Sequence, residues 1–182
     1  MSIDQANAIN RSAITPALRL LPPRMDTLQA RVEMLAICGQ EADFRHRWQV
    51  VDPARPEVRG PARGLFQFER GGGVRGVLGH AQTALAAKAL CAARGIAADE
   101  SAVYAALAGD DVLAAGFARL LLWSDPDPLP AVGDLNGAWQ LYLRTWRPGA
   151  YTNGTSAQKV RLRDKWAGYY ATAREALTKA SA

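Results

Sequence analysis

The sequence predicts a mainly α-helical globule with a small irregular or β-containing insert. Long stretches rich in alanine and leucine carry apolar residues at intervals of three and four, which is the spacing of a helix with one buried face. Residues 44–66 break this pattern with clustered glycine and proline, including Pro53 and Pro56, and contain short extended pieces around residues 48–51. A chain of 182 residues, 49% of them hydrophobic, is long enough for one well-packed domain and short for two. We therefore expect a single domain over residues 1–182.

Each element follows from local signals along the chain. Residues 1–24 are a weakly patterned N-terminal segment that ends near two consecutive prolines. The first predicted helix spans residues 26–41, and the insert follows it. Further helices are expected over residues 74–94, 100–108, 112–123, 135–146 and 156–179. The segment VLAAGFARLLLW at residues 112–123 is apolar nearly all round, which is typical of a helix at the centre of a globule.

Targeting and cysteine signals limit the class of protein. No apolar run approaches the roughly 20 residues that span a bilayer. The N-terminus lacks the basic segment and continuous apolar core of a secretory signal, so we expect synthesis in a cytoplasm without a signal peptide. The two cysteines, Cys38 and Cys91, lie in apolar helical patterns without metal-ligand spacing, and buried free thiols are expected. No metal and no cofactor is predicted.

The chain is basic, with a formal net charge of +5 and a pI near 9.6. This charge favours a polyanionic partner. Nucleic acid, anionic lipid and bacterial cell wall are the three candidate classes. The basic residues are interleaved with acids, and neither a helix-turn-helix nor a stacking surface for single strands is recognisable. A nucleic-acid partner is therefore not expected.

A carboxylate ends the apolar stripe of the first helix. Met34, Ile37, Cys38 and Glu41 follow the i, i+3, i+4, i+7 spacing and share one face. Partial burial at this position disfavours the ionised carboxyl and raises its pKa, as a general acid requires near neutral pH. The alternative is a helix-end glutamate that is solvated or paired with Arg45.

A second candidate carboxylate lies in GPARGLFQFERGGG at residues 60–73. Gln67 and Glu69 are two positions apart, so in an extended segment they point to the same side. Two carboxyls about 6.5–9.5 Å apart suit an inverting glycosidase, in which one protonates the leaving oxygen and the other orients water. In the alternative interpretation, Glu69 stabilises the N-terminus of the following helix through its dipole.

The two segments together resemble the lysozyme superfamily. QEADF at residues 40–44, followed by GLFQFE at residues 64–69, is similar to the catalytic glutamate and Gly-Leu-Met-Gln block of goose-type lysozymes, soluble lytic transglycosylases and related phage endolysins. The resemblance covers residues 30–75 and implies a lysozyme-like fold. It implies that Glu41 is the general acid, Gln67 a structural or substrate-contacting glutamine, and Glu69 the water-positioning carboxylate. Phe66 replaces the usual methionine, and the Ala-Tyr-Asn block that supplies a cleft tyrosine in transglycosylases is absent.

Aromatic residues offer candidate sugar contacts. Leu135, Trp139, Tyr142 and Trp146 step by four, three and four and therefore share one helical stripe. Such stripes are core more often than ligand platforms. Tyr142 is nevertheless a candidate substrate contact, and Trp48 in the insert is another because its region is poorly patterned for a core.

The last predicted helix combines an apolar face with four basic residues in its first turns, Lys159, Arg161, Arg163 and Lys165. One interpretation is a surface helix that packs by one face. The other is a basic amphipathic helix attracted to an anionic membrane or lipopolysaccharide.

The resemblance implies an enzyme that acts on bacterial peptidoglycan. The expected activity is hydrolysis of the β-1,4 glycosidic bond between N-acetylmuramic acid and N-acetylglucosamine by a monomeric phage endolysin. The enzyme would act on the periplasmic cell wall after release by a pore-forming partner or delivery in a virion. Two alternatives stay open: a lytic transglycosylase that forms 1,6-anhydro ends, and a non-catalytic basic helical binding module.

Overall fold

The computed structural model describes residues 2–52, 54–55 and 57–179, so Pro53 and Pro56 lie outside the described residues. It confirms a mainly α-helical fold with a small β insert after the first long helix. The helices are α1 (Ile3–Ile9), α2 (Thr15–Arg19), α3 (Leu28–Ala42), α4 (Arg75–Gly79), α5 (Ala84–Ala93), α6 (Glu100–Ala106), α7 (Asp111–Trp123), α8 (Leu135–Trp146), α9 (Gly149–Thr152) and α10 (Ser156–Lys179). The insert contains two antiparallel strands, β1 (Trp48–Val50) and β2 (Arg59–Arg63).

The N-terminal segment is helical, although its sequence pattern predicts no element there. A π-helical turn at Asn10–Ile14 joins α1 to α2. Three of its buried positions, Ala6, Ala13 and Ala17, are alanines, so its apolar face is only weakly marked in the sequence. The segment still contributes a row of small and aliphatic side chains to the core: Ala6, Ile9, Ala13, Ile14, Ala17 and Leu18.

Helix α3 is buried on nearly all sides and packs along α10. The two helices approach closely at Gly39, where an added Cβ would lie 2.2 Å from Cδ1 of Tyr169. Thr27 caps the start of α3 by accepting a hydrogen bond of 3.1 Å from the Ala30 amide. The helix ends at Ala42, and the C-cap residue Asp43 has a left-handed φ of +49°. This end of α3 carries Glu41.

The single helix predicted over residues 74–94 is wrong, because the structure divides it into α4 and α5. His80 after α4 is extended, with a ψ of 132°. The hydroxyl of Thr83 donates a hydrogen bond of 2.7 Å to the Val77 carbonyl, which satisfies a carbonyl that helix continuation would use. Gly76 and Gly79 also lower the helix propensity of this stretch.

Helix α7 lies in the centre of the globule, as its all-round apolar sequence predicts. Most of its residues are buried, including Leu113, Phe117 and Leu120. Cys38 and Cys91 are free and buried. Within residues 2–52, 54–55 and 57–179, no helix combines the length and hydropathy needed to cross a membrane.

Candidate active site

One large cleft contains all five site residues expected from the sequence: Glu41, Trp48, Gln67, Glu69 and Tyr142. Its walls come from the end of α3, the β insert, the glycine-rich turn at Arg70–Val74, α8 and the start of α10. The cleft volume is 1560 Å³. This exceeds the roughly 300–1,000 Å³ of pockets for small molecules and suits an extended chain.

Glu41 is half-buried at this cleft and is bonded to a tyrosine. The hydroxyl of Tyr142 donates a hydrogen bond of 2.6 Å to Oε1 of Glu41. The alternative partner, Arg45, instead donates from Nε to Nε2 of His46 at 3.1 Å. Glu41 therefore accepts from a neutral hydroxyl where the sequence left open an ion pair with Arg45.

Burial raises the pKa of Glu41 to about 7. The negative charge of Glu69 in the same cleft contributes to this rise, while the Tyr142 hydrogen bond and the positive charge of Lys165 oppose it. A carboxyl with this pKa is protonated in a large fraction of molecules at neutral pH, so it can donate a proton there.

The Tyr142 ring is fixed by other aromatic rings. It stacks on Trp166 with ring centroids 4.9 Å apart and planes inclined by 20°, and it lies 5.3 Å from the Trp139 ring. Burial and the charge of Glu41 raise the pKa of the Tyr142 hydroxyl, so this hydroxyl stays protonated and donates. The aromatic stripe of α8 is thus core, as such stripes usually are, and its Tyr142 hydroxyl points to the candidate acid.

A charged group beside Glu41 was not expected from the sequence. Lys165 of α10 donates from Nζ to the Gln40 carbonyl at 2.7 Å and lies 3.3 Å from Oδ1 of Asp43. The Tyr169 hydroxyl donates to the same Asp43 oxygen at 2.5 Å. Burial acts to raise the pKa of Asp43, but the Tyr169 hydrogen bond and Lys165 hold it below its ordinary value. Asp43 therefore stays ionised and keeps the Lys165 ammonium near Glu41.

The GLFQFE segment forms a tight hairpin loop. Arg63 and Phe68 exchange two backbone hydrogen bonds, at 3.0 and 2.9 Å, across the four residues between them. Gly64 has a φ of +73°, and an added Cβ would lie 2.6 Å from the Leu107 carbonyl oxygen. A glycine is required at this position for both reasons.

The extended geometry expected at Gln67 is wrong, because its φ of +50° is left-handed. Its side-chain Nε2 donates a hydrogen bond of 2.8 Å to the Gly64 carbonyl, which closes the loop. Gln67 nevertheless lines the cleft, as does Glu69. The loop bend, rather than strand alternation, brings these side chains to the same cavity.

Glu69 is exposed at the start of the Arg70–Val74 turn, where its side chain makes no capping hydrogen bond. The loop that carries it is held to α8 because Nε1 of Trp146 donates a hydrogen bond of 3.0 Å to the Phe66 carbonyl. Helix α8 is therefore bonded to both carboxylate-bearing elements of the cleft. Tyr142 joins it to α3, and Trp146 joins it to the loop.

Trp48 lies at the cleft with two guanidinium groups against its ring. The Cζ atoms of Arg59 and Arg63 are 4.2 and 4.3 Å from the ring centroid. A sugar that stacked on this indole would compete with these cation–π contacts.

Three of the four basic residues in the first turns of α10 contact other residues of this protein. Lys159 lies 5.5 Å from the Tyr151 ring centroid, and Arg163 lies 5.4 Å from that of Trp139. Lys165 lies beside Asp43, and the fourth basic residue of these turns, Arg161, is exposed. In the described part of the chain, no group of three or more His, Cys, Asp or Glu side chains could hold a metal ion.

No protein-family model, curated protein or solved structure matches this chain. The resemblance to the lysozyme superfamily therefore depends on QEADF and GLFQFE, and the geometry of the cleft is an independent observation.

Proposed function

We propose that this protein cleaves the glycan strands of bacterial peptidoglycan by hydrolysis, with Glu41 as the general acid. The observation that carries the proposal is the half-buried Glu41 carboxyl, whose pKa is about 7, in a cleft that also contains Glu69. A pair of carboxyls with unequal surroundings is what glycoside hydrolysis uses, one protonated and one ionised.

The hydrogen bonding of Glu41 supports a different role for each of its two oxygens. Oε1 accepts from Tyr142, so the transferable proton belongs on Oε2. Oε2 donates this proton to the glycosidic oxygen as the bond from C1 to that oxygen breaks. The Glu69 carboxylate orients a water and accepts its proton as the water oxygen bonds to C1, so the products are two hydroxyl-terminated sugars.

The cleft and the charge of the chain support a polymeric, anionic substrate. The cleft volume of 1560 Å³ suits several sugar rings, and the net charge of +5 accelerates encounter with an anionic wall. Gln67 is assigned a structural role in the loop that carries Glu69, and Tyr142 positions Glu41.

A lytic transglycosylase is the second candidate, favoured by one specific observation. The Tyr142 hydroxyl at Glu41 supplies a cleft tyrosine, the feature that the absent Ala-Tyr-Asn block would otherwise provide. In that reaction the sugar's own hydroxyl attacks C1 in place of water, and Glu69 has no water to orient.

The decisive experiment compares Glu41→Gln with the native protein on purified peptidoglycan. We expect the variant to remain folded by circular dichroism and to lose clearing by about a hundredfold or more, because general acid catalysis contributes about 10²–10⁴-fold. Glu57→Gln, an exposed glutamate outside the cleft, is the matched control. Unchanged clearing by folded Glu41→Gln would overturn the proposal.

Mass spectrometry of the released fragments separates the two enzyme candidates. Reducing ends indicate hydrolysis, and 1,6-anhydro ends indicate transglycosylation. If neither product forms and the protein instead binds DNA in a salt-sensitive manner, the non-catalytic binding module is the correct class.

A further inference from the structure

A second cavity of 550 Å³ adjoins the cleft between the start of α3 and the end of α7. Arg24, Arg119 and Trp123 line it, and none of them lines the cleft. Asp125 and Pro126 line both cavities. The two cavities therefore adjoin at these two residues.

The smaller cavity contains a buried cation without a matching anion. Arg119 is 1% exposed, and its Nε donates a hydrogen bond of 2.7 Å to the Met25 carbonyl. Its Nη1 has no hydrogen-bond partner among the described residues. The acid whose charge acts on Arg119 is Asp26, and this carboxylate is already bonded by Arg31 at 2.6 and 2.7 Å.

A buried charge without a paired partner is unfavourable, so a bound anion would stabilise this site. The pKa of Arg119 is accordingly lowered by burial to about 10. The guanidinium is still protonated at neutral pH, so the wall of the cavity contains a buried positive charge.

Arg24 supplies a second guanidinium group at the same cavity. The Cζ atoms of Arg119 and Arg24 lie 5.0 and 5.2 Å from the centroid of the Trp123 ring. Two guanidinium groups against one indole form a surface that combines positive charge with an apolar ring. Carboxylates match guanidinium groups in shape, since each can accept two parallel hydrogen bonds.

The acids at the rim of this cavity are paired with another arginine. Arg144 donates to the two carboxylate oxygens of Asp125 at 3.0 and 3.1 Å, and it lies 3.4 Å from Asp127. One arginine neutralises only part of the charge of these two acids, so a ligand in the cavity meets Asp127 as well as the positive charges of Arg24 and Arg119.

We propose that the cavity at Arg24, Arg119 and Trp123 binds a carboxylate of the peptide stem that branches from the glycan strand. The inference rests on the proposed function, because only a peptidoglycan substrate would carry a stem from the cleft past Asp125 and Pro126.

The test is a titration of the full-length protein with a soluble stem peptide that has no sugar attached. The indole N–H resonances of the five tryptophans are followed by NMR, and Trp123→Phe identifies the Trp123 signal. We expect a saturable shift of that signal. Arg24→Gln should weaken binding about tenfold, since it removes a charge-assisted contact. Arg24 is exposed, so this variant should fold.

Two controls make the result specific. Arg19→Gln removes an exposed arginine that lines neither cavity and should bind the stem peptide as the native protein does. The same peptide with its carboxylates converted to amides should not shift Trp123. Equal binding of the amidated peptide, or acetate binding as tightly as the peptide, would overturn the inference.

The inference and the proposed function fail in different ways. Absence of a Trp123 shift, with cleavage still dependent on Glu41, overturns the stem site and leaves the glycan-cleaving activity intact. Conversely, a carboxylate-dependent Trp123 shift supports the cavity as a carboxylate site even if Glu41→Gln clears peptidoglycan normally.

Discussion

The Tyr142 hydroxyl and the Glu41 carboxyl are joined by a hydrogen bond of 2.6 Å, although they lie 101 positions apart in the chain. Burial raises the pKa of Glu41, and this hydrogen bond opposes the rise because a donor stabilises the ionised form. The pKa of about 7 is therefore a balance between burial and specific contacts, and the balance can be changed by substitution.

The first prediction concerns the pH dependence of glycan cleavage. Since Glu41 must be protonated to act as the acid, kcat/KM should fall as the pH rises through about 7. Tyr142→Phe removes a contact that lowers the pKa of Glu41, so the alkaline fall should move upward by about one pH unit. Tyr151→Phe is the control. It removes the hydroxyl from a ring that packs edge-on against Trp139, and it should leave the pH profile unchanged. A downward shift in Tyr142→Phe would contradict this assignment.

Substitution of Glu69 should move the alkaline fall in kcat/KM in the opposite direction, to lower pH. The negative charge of Glu69 raises the pKa of Glu41, so Glu69→Gln should bring the alkaline fall to lower pH. It should also reduce hydrolysis by about a hundredfold, because no carboxylate then orients the water. The profile and the reducing ends released are both measured. Glu57→Gln is again the control, and full hydrolysis by Glu69→Gln would show that another group activates the water.

Glu41 should also decrease the stability of the folded protein at alkaline pH. Its pKa is about 7 in the folded state against an ordinary value of 4.5, so the folded state binds more protons between these values. The free energy of unfolding therefore falls as the pH rises from about 4.5 to 7. Above pH 7 the whole of this loss of stability is present. Below pH 4.5 the carboxyl is protonated in both states and contributes nothing.

Glu41→Gln removes this titration and should be more stable than the native protein at pH 8, by up to about 3 kcal/mol for a shift of this size. At pH 4 the two proteins should differ little. Urea unfolding at both pH values measures the difference. A variant that is equally stabilised at pH 4 and pH 8 would show that packing, and not the ionisation of Glu41, causes the effect.

The helical elements were predictable where a periodic apolar face is long and unbroken, as in α3, α7, α8 and α10. The N-terminal helices were not, because alanines occupy three of their buried positions, Ala6, Ala13 and Ala17, and mark an apolar face only weakly. The break between α4 and α5 was also missed. It depends on a local side-chain contact, the hydrogen bond from the Thr83 hydroxyl to the Val77 carbonyl, in a stretch whose alanine content favours helix.

The candidate site could be predicted only in part. The end of the apolar stripe located Glu41, and the family resemblance singled out Gln67 and Glu69. The Lys165 contact to Gln40 and Asp43 spans more than 120 positions, and no local pattern specifies such a pairing. The loop containing Gln67 is bent because residues in it have a left-handed backbone. A glutamine in the sequence does not indicate that conformation.

The hairpin loop provides the last prediction, at Gly64. Its φ of +73° disfavours any residue with a Cβ, and the Cβ of an alanine would lie 2.6 Å from the Leu107 carbonyl oxygen. Gly64→Ala should therefore destabilise the protein by about 2 kcal/mol or more, as measured by chemical denaturation. Because the loop carries Gln67 and Glu69, kcat/KM for glycan cleavage should fall as well. Gly79→Ala is the matched control, since its added Cβ contacts nothing within 4 Å and the site lies outside the cleft. If the two alanine variants were equally stable, backbone conformation at Gly64 would not be what holds Glu69 at the cleft.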